Sequence, residues 1–152
     1  MTDRQETPAT VHVPGFGRIP AGEYGFPGPQ RDAIVHAILT GAKSGTSSLL
    51  EEYRRADESL PAAGELEVVL DSSGRPVCVT RTSGVELLRL ADVTDQHAAD
   101  EGEGFADAAA WRRAHESFWT SPGYVEALGE PAIVIADDTQ VVYQRFVVIA
   151  RP

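Results

Sequence analysis

RDAIVHAILTGAKSGTSSLLEEYRR, residues 31–55, opens with apolar residues at helical spacing and then changes character at a glycine. Ile34, Val35, Ile38 and Leu39 make one apolar face, which predicts a helix over 31–40, and Gly41 is placed to end it. Ser48 followed three residues later by Glu51 is a capping-box pattern, so a second helix is expected to run into LLEEYRR. Between the two lies GAKSGTSS, residues 41–48, with Lys43, the only lysine beside 12 arginines.

The segment is not a phosphate-binding P-loop. That motif needs glycine directly before the lysine, after a strand and opening a helix. Here Ala42 separates Gly41 from Lys43, and a predicted helix precedes it. Lysine differs from arginine in that desolvation can make its amine a neutral base, whereas guanidinium stays charged. Thr46, three residues on, is within reach of such an amine, and a lysine-activated hydroxyl is a nucleophile. A surface lysine left over from an arginine-biased composition would explain Lys43 without chemistry, and loop or cap roles would explain Thr46, Ser47 and Ser48.

Outward from this stretch the pattern becomes β. ELEVVLD, the turn SSG and RPVCVTRT predict a hairpin, GVELLRL a third strand, and TQVVYQRFVVIARP a last one. ADVTDQHAADEGEG, residues 91–104, predicts a short helix and a loop. DAAAWRRAHESFW predicts a longer helix with Trp111, His115 and either Phe118 or Trp119 on one face. Residues 1–20 are expected to form an N-terminal tail and 21–152 one domain. Helices inserted among antiparallel-looking strands imply an α+β fold, with a small barrel or strongly bent sheet under packed helices.

With 152 residues and 42% hydrophobic content, the chain is expected to bury a single core. Its polar start, MTDRQETPAT, does not read as a secretory signal, and no apolar run has the length of a membrane span. The single cysteine, Cys78, cannot form an internal disulfide, and a cytoplasmic location is expected. The net charge of −10, with only Arg54-Arg55 and Arg112-Arg113 as basic pairs, disfavours extended nucleic-acid binding, which draws its affinity from cations on phosphate. A small ligand in a local cleft is not disfavoured.

The acidic loop offers Asp100, Glu101 and Glu103, any of which could pair with Lys43, orient a substrate or shuttle a proton. No metal is assigned, because these acids lack His, Cys or Asp partners at ligand spacing and the calcium-loop pattern is absent. The four histidines are scattered, and His115 on its aromatic face reads as a packing residue. Trp111, Phe118 and Trp119 read as core or pocket wall, and Cys78 as a small buried hydrophobe.

Three segments in order resemble the ASCH domain family: FPGPQRDAIVHAILTGAKSGTSSLLEEY with its G-x-K-[ST]-x-T motif, the hairpin VLDSSGRPVCVTRTSGVELLRLADVT, and HAADEGEGFADAAAWRRAHESFW with E-G-E-G before W-R-x-x-H. The resemblance covers about 24 to 149. It implies a PUA-like fold, a small mostly antiparallel β-barrel with helices packed on it and a cleft beside the lysine motif. It also implies one of three activities: RNA or nucleotide binding without catalysis, ribonuclease activity as in one branch, or hydrolysis of the acetyl amide of N(4)-acetylcytidine as in a short-chain branch. The functional positions of that last branch fall on Lys43, Thr46 and Glu101, as base, nucleophile and orienting or protonating acid. Ser44, Gly45, Ser47 and Glu103 are then expected to line the substrate, a nucleoside, nucleotide or short RNA segment, with no cofactor. The chain departs from the family pattern at Ser44, where threonine is common, and is longer than the short amidohydrolase branch.

Overall fold

The computed structural model describes residues 9–152; residues 1–8 of the expected tail lie outside the described residues. Six strands form one sheet: β1 (Thr10–Val13), β2 (Gly17–Gly22), β3 (Gly45–Leu49), β4 (Leu66–Leu70), β5 (Pro76–Arg89) and β6 (Gln140–Ala150). Five α-helices accompany them: α1 (Pro29–Thr40), α2 (Leu50–Ala56), α3 (Asp95–Asp100), α4 (Ala108–Trp119) and α5 (Pro122–Leu128). The strand order is β1-β2-β4-β5-β6-β3, with β2 and β4 parallel and every other pair antiparallel. The fold is α+β and PUA-like, as expected. The sheet is open rather than a closed barrel. The apolar face of α1 covers it, with Ile34, Val35 and Ile38 packed among Val69, Cys78 and Phe146, so the strands need not curl onto themselves to bury that face.

Four local expectations differ from the structure. Residues 10–20, expected as tail, form a hairpin whose Val13, Ile19 and Ala21 are buried with Val68, Leu70 and Val79. Gly15 and Gly17 both take positive φ at its turn, so a composition that reads as loop is one that a tight hairpin also needs. GVELLRL is not a separate strand but the second half of β5, which pairs with β6 along its length through irregularities at Val79/Thr80 and Thr82/Gly84. Residues 45–49 form β3, and α2 starts only at Leu50. The Ser48 capping box does not form, because backbone pairing with β6 carries the chain through Leu49 and Ser48 Oγ instead meets Tyr53 OH at 3.1 Å.

Two helices carry the residues that meet β3. In α4, Trp111, His115 and Trp119 are the buried stripe, at intervals of four, and Asp107 caps the helix through Ala110 N–H. In α3, Thr94 and His97 make a reciprocal capping box. Asp95 Oδ1 accepts from Ala108 N, fastening the start of α3 to the start of α4. No helix among the described residues is long and apolar enough to cross a membrane.

Candidate functional site

Residues 41–44 are held on three sides. Gly41 ends α1 in the left-handed conformation with its N–H on Ile38 O, and Lys43 N–H bonds Ala37 O at 2.9 Å. Ser44 N–H bonds Asp100 O at 2.8 Å, and Ser44 O accepts from Phe146 N at 3.1 Å. The segment therefore bridges α1, α3 and β6, and the Lys43 side chain is directed inward with almost no exposure.

Lys43 Nζ donates to Gly45 O at 2.8 Å, Glu101 O at 3.3 Å and Glu103 Oε2 at 2.9 Å. Three acceptors match the three donors of an ammonium. Glu101 Oε1 stands 3.8 Å from Nζ, with both side chains wholly buried. Gly102 makes this approach possible. It takes φ +64, and a Cβ there would overlap the Ala42 carbonyl and Lys43 N, so the turn after α3 can lie directly on the lysine segment only as glycine.

Behind Glu101 lies a second polar layer. Ser47 Oγ is 2.9 Å from Glu101 Oε2 and 3.0 Å from His115 Nε2, and Trp111 Nε1 also donates to Glu101 Oε2. His115 Nδ1 meets Trp111 O at 2.8 Å, and its ring stacks on Trp111 with centroids 4.1 Å apart. Glu101 Oε1 has no hydrogen-bond partner among the described residues; His115 Nε2 lies 3.5 Å and Lys43 Nζ 3.8 Å from it. Burial opposes the charge on Glu101, but the close approach of His115 and, after it, of Lys43 outweighs it and holds the carboxyl down at about 2. Burial likewise opposes the charge on Glu103, and Lys43 reverses it, leaving that carboxyl below its usual range.

The layer is closed from the sheet side by Tyr143, whose hydroxyl donates to His97 O at 2.8 Å and whose titration burial and Glu101 push upward. A Cβ on Gly45 would overlap that hydroxyl. Arg145 Nη1 binds Asp100 Oδ2 at 2.8 Å, which fixes the end of α3 against β6 and holds the Asp100 carboxyl below its usual range. Beside Lys43 and Ser44 opens a cleft of about 350 Å³, walled also by Ile38, Leu39, Phe146 and Val148. Its size is that of a small-ligand site.

The structure thus brings Lys43, Ser47, Glu101 and Glu103 into one cluster, while Ser44 and Gly45 contribute backbone groups. Thr46 is buried and registered with Gln144, whereas Ser47 is registered with Tyr143. Successive strand residues project to opposite faces, so Thr46 points away from the face on which Ser47 meets Glu101. Two members of the cluster, His115 and Trp111, were expected only as packing residues. Their signal was available: Trp111 and His115 share a helix face, and a histidine there needs partners for both ring nitrogens. Among the described residues no group of three or more His, Cys, Asp or Glu could hold a metal ion.

The model of the ASCH domain matches residues 23–150. The chain belongs to the ASCH domain family. Two solved structures are similar to it. One is the ASCH domain from Lactobacillus crispatus JV V101, 27% identical, with a TM-score of 0.70 over 86% of this chain and 80% of that one. The other is a protein from Enterococcus faecalis V583, 28% identical, with a TM-score of 0.63 over 75% of this chain. The match spans 65% of the Enterococcus protein's length. No curated protein matches the chain. As an ASCH domain, the chain carries its lysine motif against the E-G-E-G loop, residues 101–104, and the W-R-x-x-H helix.

Proposed function

We propose that this ASCH domain hydrolyses the amide of an acylated nucleoside, with N(4)-acetylcytidine as the test substrate. The observation that carries the reading is the buried meeting of Lys43 with Glu101 and Glu103, Lys43 being also a wall residue of the cleft. One ammonium between two carboxylates has no surplus positive charge to offer a phosphate, which argues against backbone binding and for an uncharged substrate. A lysine 2.9 Å from a carboxylate has a route by which its proton can leave, and this is what a lysine needs in order to act as a base.

In this scheme Nζ passes a proton to Glu103 and, as a neutral amine, takes the Thr46 hydroxyl proton. Nζ bonds the Gly45 carbonyl, which belongs to the peptide joining Thr46, and the scheme requires it to leave that carbonyl and turn to the Thr46 hydroxyl. Thr46 Oγ1 attacks the acetyl carbon, Lys43 returns the proton to the departing N4 nitrogen, and the C–N bond breaks to release cytidine. Water then attacks the ester on Thr46 by the same path and releases acetate. Glu101 keeps the positive charge of Lys43 paired in the resting state.

Incubation of the protein with N(4)-acetylcytidine, with release of cytidine followed by chromatography, tests the reading. Cytidine and acetate should appear in equal amounts. An inert wild type that instead bound RNA or nucleotides, with affinity falling steeply as salt rises, would replace the hydrolase by a binding module.

A further inference from the structure

The hydrogen bonds behind Glu101 fix where the protons are. The Trp111 carbonyl can only accept, so His115 Nδ1 carries a proton. Ser47 has one hydroxyl hydrogen and two neighbours, Glu101 Oε2 and His115 Nε2. Glu101 Oε2 also receives Trp111 Nε1–H, so it is an acceptor, and the Ser47 hydrogen points to it. His115 Nε2 then faces Ser47 Oγ at 3.0 Å and Glu101 Oε1 at 3.5 Å, both acceptors, and so serves as a donor. With protons on both nitrogens, His115 is an imidazolium, wholly buried and stacked on Trp111, whose ring face suits a cation.

We propose that His115, Ser47 and Glu101 form a buried proton relay that lets Lys43 become neutral without exchange with solvent. His115 Nε2 gives its proton to Ser47 Oγ while the Ser47 hydrogen passes to Glu101 Oε2. One O–H bond forms as another breaks on Ser47, and the positive charge on His115 and the negative charge on Glu101 vanish together. In step, Lys43 Nζ gives a proton to Glu103 Oε2. Four ions, two positive and two negative, become four neutral groups, so the sum of charge stays at zero. Without the relay, deprotonation of Lys43 would leave Glu101 with the His115 imidazolium alone, a buried ion pair whose desolvation cost the relay removes by neutralising both groups. The charged and titratable groups that face Glu101 are Lys43, Glu103, His115 and, from β6, Tyr143. His115 touches no substrate in this scheme. It is a positioning residue acting through Ser47.

The catalytic use of the relay rests on the hydrolase reading, but the proton inventory does not, and the two are tested separately. In the full chain with 15N-labelled histidine, nuclear magnetic resonance near neutral pH should show both ring nitrogens of His115 protonated, with the signals assigned by their loss in His115→Gln. A bare Nε2 would overturn the relay, since there would be no proton to pass. In turnover of N(4)-acetylcytidine, Ser47→Ala should lower kcat by about 10²–10⁴-fold with KM nearly unchanged, the range of general acid–base effects. Ser47→Thr keeps the hydroxyl and should recover most of the loss. Full activity in Ser47→Ala would also overturn the relay. Absence of turnover in wild type would remove the hydrolase reading alone, and the histidine spectrum would still decide the relay.

Discussion

Lys43 and Glu101, 58 residues apart in sequence, face each other across 3.8 Å with both side chains fully enclosed. Buried pairs of this kind are weak evidence of added stability, because desolvation opposes the attraction, yet losing one partner is severe. Here Lys43 answers two carboxylates at once. Lys43→Met should therefore destabilise the fold by about 3–5 kcal/mol, the cost of stranding buried charge. Urea unfolding would measure it, and adding Glu101→Gln should return part of the loss. A Lys43→Met protein as stable as wild type would show that these charges are not mutually dependent.

Acid should undo the same cluster. Glu101 titrates at about 2 in the fold against an ordinary value of 4.5, so its folded-state pKa is depressed. Its contribution is complete above about pH 4.5 and fades as pH falls toward 2, and the depressed Glu103 and Asp100 act in the same direction. Thermal melts should show stability declining through this window, with a shallower decline in Glu101→Gln. An unchanged slope in that variant would contradict the ionised, paired state of Glu101.

Gly102 is the hinge of the approach. Gly102→Ala combines a left-handed backbone with a Cβ that overlaps the Ala42 carbonyl, so a cost above ~1 kcal/mol is expected. Turnover should fall with it, since the E-G-E-G loop carries both carboxylates. A fully active, fully stable Gly102→Ala would mean that the loop need not lie on the lysine segment.

Salt separates small-molecule chemistry from polyanion binding. With Lys43 held between two carboxylates and a net charge of −10, hydrolysis of a neutral nucleoside should be nearly flat between low and physiological salt. Any RNA affinity should be weak and collapse with added salt. Tight RNA binding would contradict the charge balance described for the site.

The elements legible in the sequence were those with clear periodicity. α1 and α4 carry apolar stripes, and β4 with the first half of β5 flanks an obvious turn. β3 was hidden because all five of its residues, GTSSL, are buried and the four before Leu49 are small or polar, so no alternation marks it. The Ser48–Glu51 pattern fits a capping box locally, and pairing with β6 overrides it. The continuity of β5 depends on a partner strand more than 50 residues away, which no local pattern reveals. At the site, Lys43 stood out as the lone lysine, and the acidic loop stood out by composition. His115 did not, because an aromatic helix face looks like core, and only the fold sets Ser47 and Glu101 opposite it.

Single-turnover hydrolysis of N(4)-acetylcytidine by wild type and Lys43→Arg, run side by side, bears most directly on the central assignment. A guanidinium keeps the positive charge but cannot serve as a neutral base near neutral pH. Wild type should release cytidine, and Lys43→Arg should lose about 10²–10⁴-fold of that rate while remaining folded. Equal rates in the two proteins would remove Lys43 as the base.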